Sequence, residues 1–199
     1  VSFVGSTPVA KYIYEQASIY GKRVQALGGA KNHLIVMPDA NLSQAVDGII
    51  GAGYGSAGER CMAVSVAVAV GSIADELVET IHQESQKLKV APWTDPDSDM
   101  GPVISKEHKD KIENYISIGV KEGARLVEDG RNYKIQGYEN GYFVGPTLFD
   151  EVTKEMTIYK EEIFGPVVSV VRAKDYDEAI NLVNGHAYGN GTSIYTSDG

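Results

Sequence analysis

Ala63-Val64-Ser65-Val66-Ala67-Val68-Ala69-Val70, followed at once by Gly71-Ser72-Ile73-Ala74-Asp75-Glu76-Leu77-Val78, decides the fold class. The first half is an almost unbroken run of small and β-branched apolar residues. A strand wetted on one face would alternate, so this one is expected to be buried on both, as strands of parallel sheets are. The second half changes period. Leu77, Val78, Ile81 and Leu88 fall inward on a helix, and Ser72-Ile73-Ala74-Asp75 reads as a capping box at its start. A buried strand feeding an amphipathic helix is the unit of an α/β layered fold.

The same grammar recurs outward in both directions. Val1–Val4, Val24–Leu27, His33–Met37, Leu126-Val127, Thr147–Phe149, Val167–Val171 and Thr192–Tyr195 read as short strands. Between them lie helical patterns. Thr7 and Pro8 read as an N-cap and first helical residue, with Val9, Tyr12, Ile13, Ala17 and Tyr20 as the apolar stripe. Leu42, Val46, Ile49 and Ile50 mark a second helix, and Ile112, Tyr115, Ile116 and Val120 another. Asp175-Tyr176-Asp177-Glu178 caps a last one, which ends at Asn184-Gly185. Residues 92–102 read as a loop and the glycine-rich residues 129–141 as a loop or hairpin. The expected architecture is α/β: layered, with a mostly parallel sheet and flanking helices.

Composition narrows the class. The chain has 199 residues, 43% of them hydrophobic and 23% charged, enough for a real core. A formal charge of −9 argues against a nucleic-acid partner. The longest apolar run is too short to span a bilayer. A single cysteine excludes an intrachain disulfide and fits a reducing compartment. The chain opens on a strand pattern without an initiator methionine and stops just after another strand, so it is expected to be a piece of a longer protein.

That cysteine, Cys61, lies immediately upstream of the deciding strand, in Gly55-Ser56-Ala57-Gly58-Glu59-Arg60-Cys61-Met62-Ala63. Glycines let backbone approach a substrate closely, and a thiol at the mouth of a strand can be a nucleophile. A small buried hydrophobe is the other reading of a lone cysteine. Two tempting motifs fail. Gly51-Ala52-Gly53-Tyr54-Gly55-Ser56 follows a helix pattern rather than a strand, so it is no dinucleotide fingerprint, and no Lys-Ser or Lys-Thr follows it. Neither His33 and His186, which stand apart in unlike contexts, nor Asp95, Asp97 and Asp99 offer metal-ligand spacing.

Four segments in one order carry a resemblance: Phe3-Val4-Gly5-Ser6-Thr7, the Leu27-Gly28-Gly29 turn, Gly58 to Cys61, and Glu161-Glu162-Ile163-Phe164-Gly165-Pro166-Val167. Together they resemble the signature series of the aldehyde dehydrogenase superfamily. Lys31-Asn32-His33 and Gly58-Glu59-Arg60-Cys61-Met62-Ala63 resemble its CoA-acylating methylmalonate-semialdehyde branch more narrowly. The resemblance implies a catalytic-domain piece: residues 1–27 as a remnant of the NAD-binding domain and 28–199 as the catalytic domain, C-terminally truncated.

It also implies roles. Cys61 would be the nucleophile, with its own N–H as one oxyanion donor; the family's second donor, an asparagine, would lie upstream of this sequence. Ser6 would contact the cofactor near its phosphates, Glu162 would hold the nicotinamide ribose and Phe164 would lie beside the nicotinamide. Without the family, Ser6 is a plain N-cap, the two glutamates a solvated pair and Phe164 core. Arg60 would grip the substrate carboxylate, for which a guanidinium fork is well suited; its other reading is a cation near a helix C-terminus.

The hydrolytic members carry a glutamate directly before Leu-Gly-Gly as the base that activates water; here that position is Ala26. Water, of pKa about 15.7, needs such a base, whereas a thiol of pKa about 8.5 needs far less help. The implied activity is therefore NAD-dependent oxidation of methylmalonate or malonate semialdehyde with release to coenzyme A and loss of CO₂, as in valine breakdown. The implied partners are the small semialdehyde and CoA, with no nucleic acid, membrane or metal. The intact enzyme would be a homo-oligomer, cytoplasmic in a bacterium or in the mitochondrial matrix of a eukaryote, and the 199-residue piece alone would be inactive. Two alternatives stand: another CoA-acylating semialdehyde dehydrogenase, and a non-catalytic piece that only binds or assembles.

Overall fold

The computed structural model describes residues 1–198 and divides into two compact units, Val1–Ala30 and the chain from Lys31 onward. The division falls three residues past the expected 27/28 boundary.

In the first unit, β1 (Ser2–Val4) and β2 (Gln25–Leu27) pair in parallel, with Phe3 opposite Ala26, and α1 (Thr7–Ile19) joins them. The N-cap is Ser6 rather than Thr7, and Pro8 therefore sits at the second helical position. Thr7 is spent elsewhere: its Oγ1 accepts a 3.0 Å hydrogen bond from Gly29 N–H. A Cβ at Gly28 would lie 2.7 Å from that same oxygen, so the Leu-Gly-Gly turn needs its first glycine for close approach. Of the expected apolar stripe of α1, Ala17 is buried and Ile13 half-buried, but Val9, Tyr12 and Tyr20 are exposed. Ala10 and Ala17 are the buried residues of the helix, while Tyr12 and Tyr20 are 64% and 74% exposed.

The second unit is a six-stranded sheet in the order β5-β6-β7-β4-β3-β8. Its strands are β3 (Asn32–Val36), β4 (Val64–Val70), β5 (Arg125–Glu128), β6 (Thr147–Asp150), β7 (Val167–Ala173) and β8 (Thr192–Tyr195). All pairs are parallel except β5 with β6. The layered, mostly parallel α/β class is therefore what the chain adopts. Flanking helices are α2 (Leu42–Tyr54), α3 (Ala74–Ser85), α4 (Lys106–Glu122), the single turn α5 (Thr157–Lys160) and α6 (Tyr176–Gly185).

The central strands explain the stability. Val66, Ala67, Val68 and Ala69 on β4 are fully buried, as are Ile35 and Val36 on β3 and Val168 and Val170 on β7. Burying one such branched side chain is worth roughly 1.5–3 kcal/mol, and dozens are stacked here on Leu77, Ile81, Ile112, Ile116 and Phe149.

Helix ends follow local chemistry. Asn41, Ser105 and Asp175 accept from the backbone N–H three residues on, at 3.1, 3.2 and 3.0 Å. The capping box expected at Ser72 is not formed. Gly71–Ile73 makes a 3-10 turn, and Ile73 becomes an N-cap without a side-chain bond. Gly71, at φ +62, turns the chain from β4 directly into that turn, and Asp75 and Glu76 supply the negative charge that the first helical turn favours. The four-residue α5 carries too few residues to show a period and went unforeseen.

Candidate active site

Cys61 and the catalytically suggestive residues of the second unit meet at one rim of the sheet, where the amino ends of β3, β4, β7 and β8 lie side by side. α2 runs down to Tyr54 and gives way to a one-turn 3-10 segment, Gly55–Gly58. Within it Ser56 and Ala57 take left-handed backbone, at φ 54° and 52°, and Gly58 follows at +69°. Left-handed backbone costs a non-glycine residue about 1–2 kcal/mol, and such strain clusters at functional sites. A tight turn then closes, with Ala63 N–H donating to Arg60 C=O at 3.0 Å, and delivers the chain to β4. Cys61 sits in that turn and is exposed, not the buried hydrophobe of the alternative reading.

Gly58 shows how this loop meets the Phe164 segment. A Cβ there would stand 2.1 Å from Gly165 O and 3.0 Å from Pro166 N, so only glycine permits the contact. Phe164 itself is held at φ +61°. His108, on α4, bridges the two segments. Its Nε2 donates to Phe164 C=O at 2.6 Å and lies 3.3 Å from Glu59 Oε1, and its ring meets Phe164 edge-on at 6.1 Å. Glu59 also accepts from Ile104 N–H at 3.2 Å, and burial pushes its carboxyl up from the usual range.

Arg60 does not reach outward. Its Nη2 donates to Gly51 C=O at 2.6 Å and to Ala52 C=O at 3.3 Å, in the last turn of α2. That is the helix-terminus reading of this residue, realised with the guanidinium at the surface. Gly51 to Tyr54, the rejected fingerprint, are helical. Gly55 passes against the same guanidinium, where a Cβ would meet Nη2 at 2.7 Å.

Lys31-Asn32-His33 opens β3 with three consecutive buried polar side chains. Lys31 Nζ donates to Ile158 C=O and Glu161 C=O, both at 2.7 Å, and so ties down the segment that continues into Glu162 and Phe164. Burial pulls its pKa down to about 7, with Glu162 and Glu161 pulling the other way. Asn32 donates to Cys61 C=O and Ala63 C=O at 2.9 and 2.8 Å, and accepts from Gly191 N–H at 2.9 Å. His33 has its pKa lowered to about 4 by burial. The neutral ring donates from Nδ1 to Lys31 C=O at 2.9 Å and accepts at Nε2 from the Tyr159 hydroxyl at 3.0 Å.

His33 and His186 are therefore not apart, as expected from sequence. Their rings lie 5.4 Å from one another, and both pack on Tyr159. Nothing in either local sequence announces that meeting, because β3 and the end of α6 are brought together only by the sheet order. Among the described residues, no group of three or more His, Cys, Asp or Glu side chains could hold a metal ion.

Ser6 belongs to the first unit. As N-cap of α1 its side chain makes no capping hydrogen bond, and no acidic residue occupies the first turn. An uncommitted hydroxyl at the positive end of a 13-residue helix suits a phosphate. Glu162 and Phe164 are both partly buried. A cleft of about 910 Å³ elsewhere in the second unit is lined by Val152, Tyr159, Arg172, Leu182 and His186 among others, and by none of the expected site residues.

Comparison with known proteins meets this geometry. The sequence matches the aldehyde dehydrogenase family over residues 1–199. It is 56% identical to a malonate-semialdehyde dehydrogenase of Pseudomonas aeruginosa over 200 residues, covering 100% of this chain and 40% of that protein. Among solved structures, a methylmalonate-semialdehyde dehydrogenase from Oceanimonas doudoroffii superposes with a TM-score of 0.98 at 58% identity, over 100% of this chain and 41% of its own. A protein of Sinorhizobium meliloti described as a methylmalonate-semialdehyde dehydrogenase and complexed with NAD gives the same score, identity and coverage. The chain thus spans about two fifths of the length of the relatives it matches.

Proposed function

The chain belongs to the aldehyde dehydrogenase family, and on that premise we propose that it carries the nucleophile of an NAD-dependent, CoA-acylating semialdehyde dehydrogenase. The observation that carries the reading is Cys61: the one thiol, exposed, in a turn fixed at the mouth of β4 and next to strained backbone.

Cys61 Sγ adds to the aldehyde carbon, and the oxidised acyl group remains on that sulfur as a thioester. The Cys61 backbone N–H stabilises the oxyanion that develops. NAD⁺, when bound, supplies the hydride acceptor. By the family resemblance, Ser6 would contact it near its phosphates, Glu162 would hold the ribose and Phe164 would flank the nicotinamide. Lys31, by pinning the Ile158 and Glu161 carbonyls, and His108, by holding the Phe164 carbonyl, fix the backbone that carries those two side chains.

Ala26 leaves the thioester without a water-activating base, and coenzyme A, whose thiol ionises far more readily than water, takes the acyl group. With a malonate or methylmalonate semialdehyde, the β-carboxylate leaves as CO₂ because the thioester carbonyl accepts the electron pair as an enolate, whose α-carbon then takes a proton from water. Arg60 pairs with that carboxylate before it leaves. To do so its guanidinium turns from the α2 carbonyls it caps, exchanging two neutral acceptors for one charged one, a change that favours the carboxylate. The names of the relatives, malonate- and methylmalonate-semialdehyde dehydrogenase, support this substrate class.

The test is Ala26→Glu in a full-length enzyme carrying this sequence, assayed for aldehyde oxidation with and without CoA. Turnover without CoA is expected to rise in the variant. An unchanged CoA requirement in a variant that still forms the thioester would overturn the account of release. Arg60→Leu distinguishes substrates: KM for carboxylate-bearing aldehydes should rise at least tenfold more than for propanal, and equal losses would assign Arg60 to α2 alone.

A further inference from the structure

The geometry points to Asn32 as a positioning residue for the nucleophile: its amide locks the Cys61 carbonyl and thereby the turn that presents the thiol. The inference rests on Cys61 being the nucleophile.

Asn32 is 4% exposed and opens β3 opposite Val64, just before the register with β4 shifts between Asn32 and His33. Three of the four hydrogen-bonding capacities of its amide are used at once, both donors among them. Both N–H groups go to the nucleophile turn, at Cys61 C=O and Ala63 C=O, and the oxygen takes Gly191 N–H. Those two carbonyls bracket Met62, so one planar group fixes the exit of the turn from both sides. The neighbouring segment adds a second donor, Asn190 Nδ2, to the same Cys61 carbonyl at 2.9 Å. Two amides, one opening β3 and one just before β8, thus converge on the carbonyl of the one residue that carries a thiol.

A group needed only to satisfy buried backbone would not have to converge there. Cys61 C=O belongs to an exposed residue, and water could satisfy it without any side chain. Fixing it restricts rotation of the Cys61–Met62 peptide and, through the turn bond from Ala63 N–H to Arg60 C=O, of the preceding peptide that holds the oxyanion-donating N–H. Catalysis is sensitive to that kind of placement, since a misplacement of about 1 Å can cost on the order of 100-fold in rate.

The experiment is steady-state kinetics on a full-length enzyme carrying this sequence, comparing Asn32→Ala, Asn32→Ser and Asn190→Ala with the parent. Active sites are counted by iodoacetamide labelling at Cys61 and measured by peptide mass. Per labelled Cys61, kcat is expected to fall about 10- to 100-fold in Asn32→Ala. The fall should be smaller in Asn32→Ser, which keeps one donor, and smallest in Asn190→Ala. KM for NAD⁺ should stay within about twofold throughout. If Asn32→Ala does not fold, the Asn32→Ser kcat decides. A kcat per labelled site equal to the parent's in every folded Asn32 variant, with only thermal stability reduced, would overturn the inference. Cys61→Ser separates the two claims: turnover surviving in that variant would remove the nucleophile reading itself, whereas its loss beside fully active Asn32 variants would remove only the positioning role.

Discussion

The middle of the sheet and its amino-end rim are built on opposite principles. In the middle, β4 and its neighbours β3 and β7 bury branched aliphatic side chains in regular backbone, and Val66, Val68 and Val170 are interchangeable in kind if not in shape. At the rim, Ser56, Ala57 and Phe164 hold left-handed backbone, Gly58 admits no side chain, and Lys31, Asn32 and His108 spend their polar atoms on specific carbonyls. The middle tolerates conservative exchange at a cost set by volume. The rim tolerates little, because each residue there serves a direction rather than a volume.

One carbon atom distinguishes them most sharply. Gly58→Ala adds a methyl at φ +69° and 2.1 Å from Gly165 O, so backbone strain and overpacking combine to about 2–5 kcal/mol. Val68→Ala removes two carbons from the deepest part of the core and should cost roughly 2–3 kcal/mol. Denaturant melts of both variants check the ranking. A Gly58→Ala variant as stable as the parent would mean the rim yields after all.

A polar exception inside the sheet gives the next effect. Asp150 is fully buried at the end of β6, with Arg172 at 2.7 Å and Arg125 at 2.5 Å. Burial pushes its carboxyl up, but the hydrogen bonds from Arg172 and Arg125 prevail and hold it below the ordinary aspartate range. Stability from this group is therefore present at neutral pH and lost only as pH falls through that lowered value. Asp150→Asn should cost about 1–3 kcal/mol at pH 7, less than a fully buried pair because Arg125 and Arg172 are 50% and 36% exposed. The deficit should shrink in acid. Melts at pH 7 and pH 3 measure both, and a deficit that does not change with pH would contradict the assignment.

Lys31 acts at the alkaline end of the pH range and in the same direction as Asp150. Its folded pKa, near 7, lies below the 10.5 of the free side chain, so the unfolded chain binds more protons between those values. Stability attributable to Lys31 should rise with pH from 7 toward 10.5, by up to about 1.4 kcal/mol per pH unit, while the neutral amine still donates to Ile158 and Glu161. Measured against Lys31→Met, the parent should gain over that window. A parallel pair of profiles would show that Lys31 stays charged when folded.

The contrast between middle and rim also marks what the sequence can say. Val64–Val70 announced a two-sided buried strand, and Leu77, Val78 and Ile81 a helix behind it, because burial writes itself as period and composition. Gly58 and Cys61 were legible as a glycine-rich approach to a thiol. The stripe on α1 misled: Tyr12 and Tyr20 have the spacing of core residues and lie exposed, since spacing reports a face but not what covers it. Ser72 misled because the turn after β4 begins one residue too early for its hydroxyl to cap. Asn190 and His108 were silent and Asn32 spoke only as part of a resemblance, for their partners lie 129, 56 and 29 residues away. Hydrogen bonds at such separations depend on sheet order, which no local pattern contains.

The central claim is that Cys61 holds the acyl group. The most direct test incubates a full-length enzyme carrying this sequence with propanal and NAD⁺ in the absence of CoA, quenches in acid, and measures the mass of the peptide containing Cys61. The account predicts a propionyl group on that peptide alone, removed on addition of CoA and absent in Cys61→Ala. NADH formation with an unmodified Cys61 peptide, or undiminished turnover in Cys61→Ala, would contradict it.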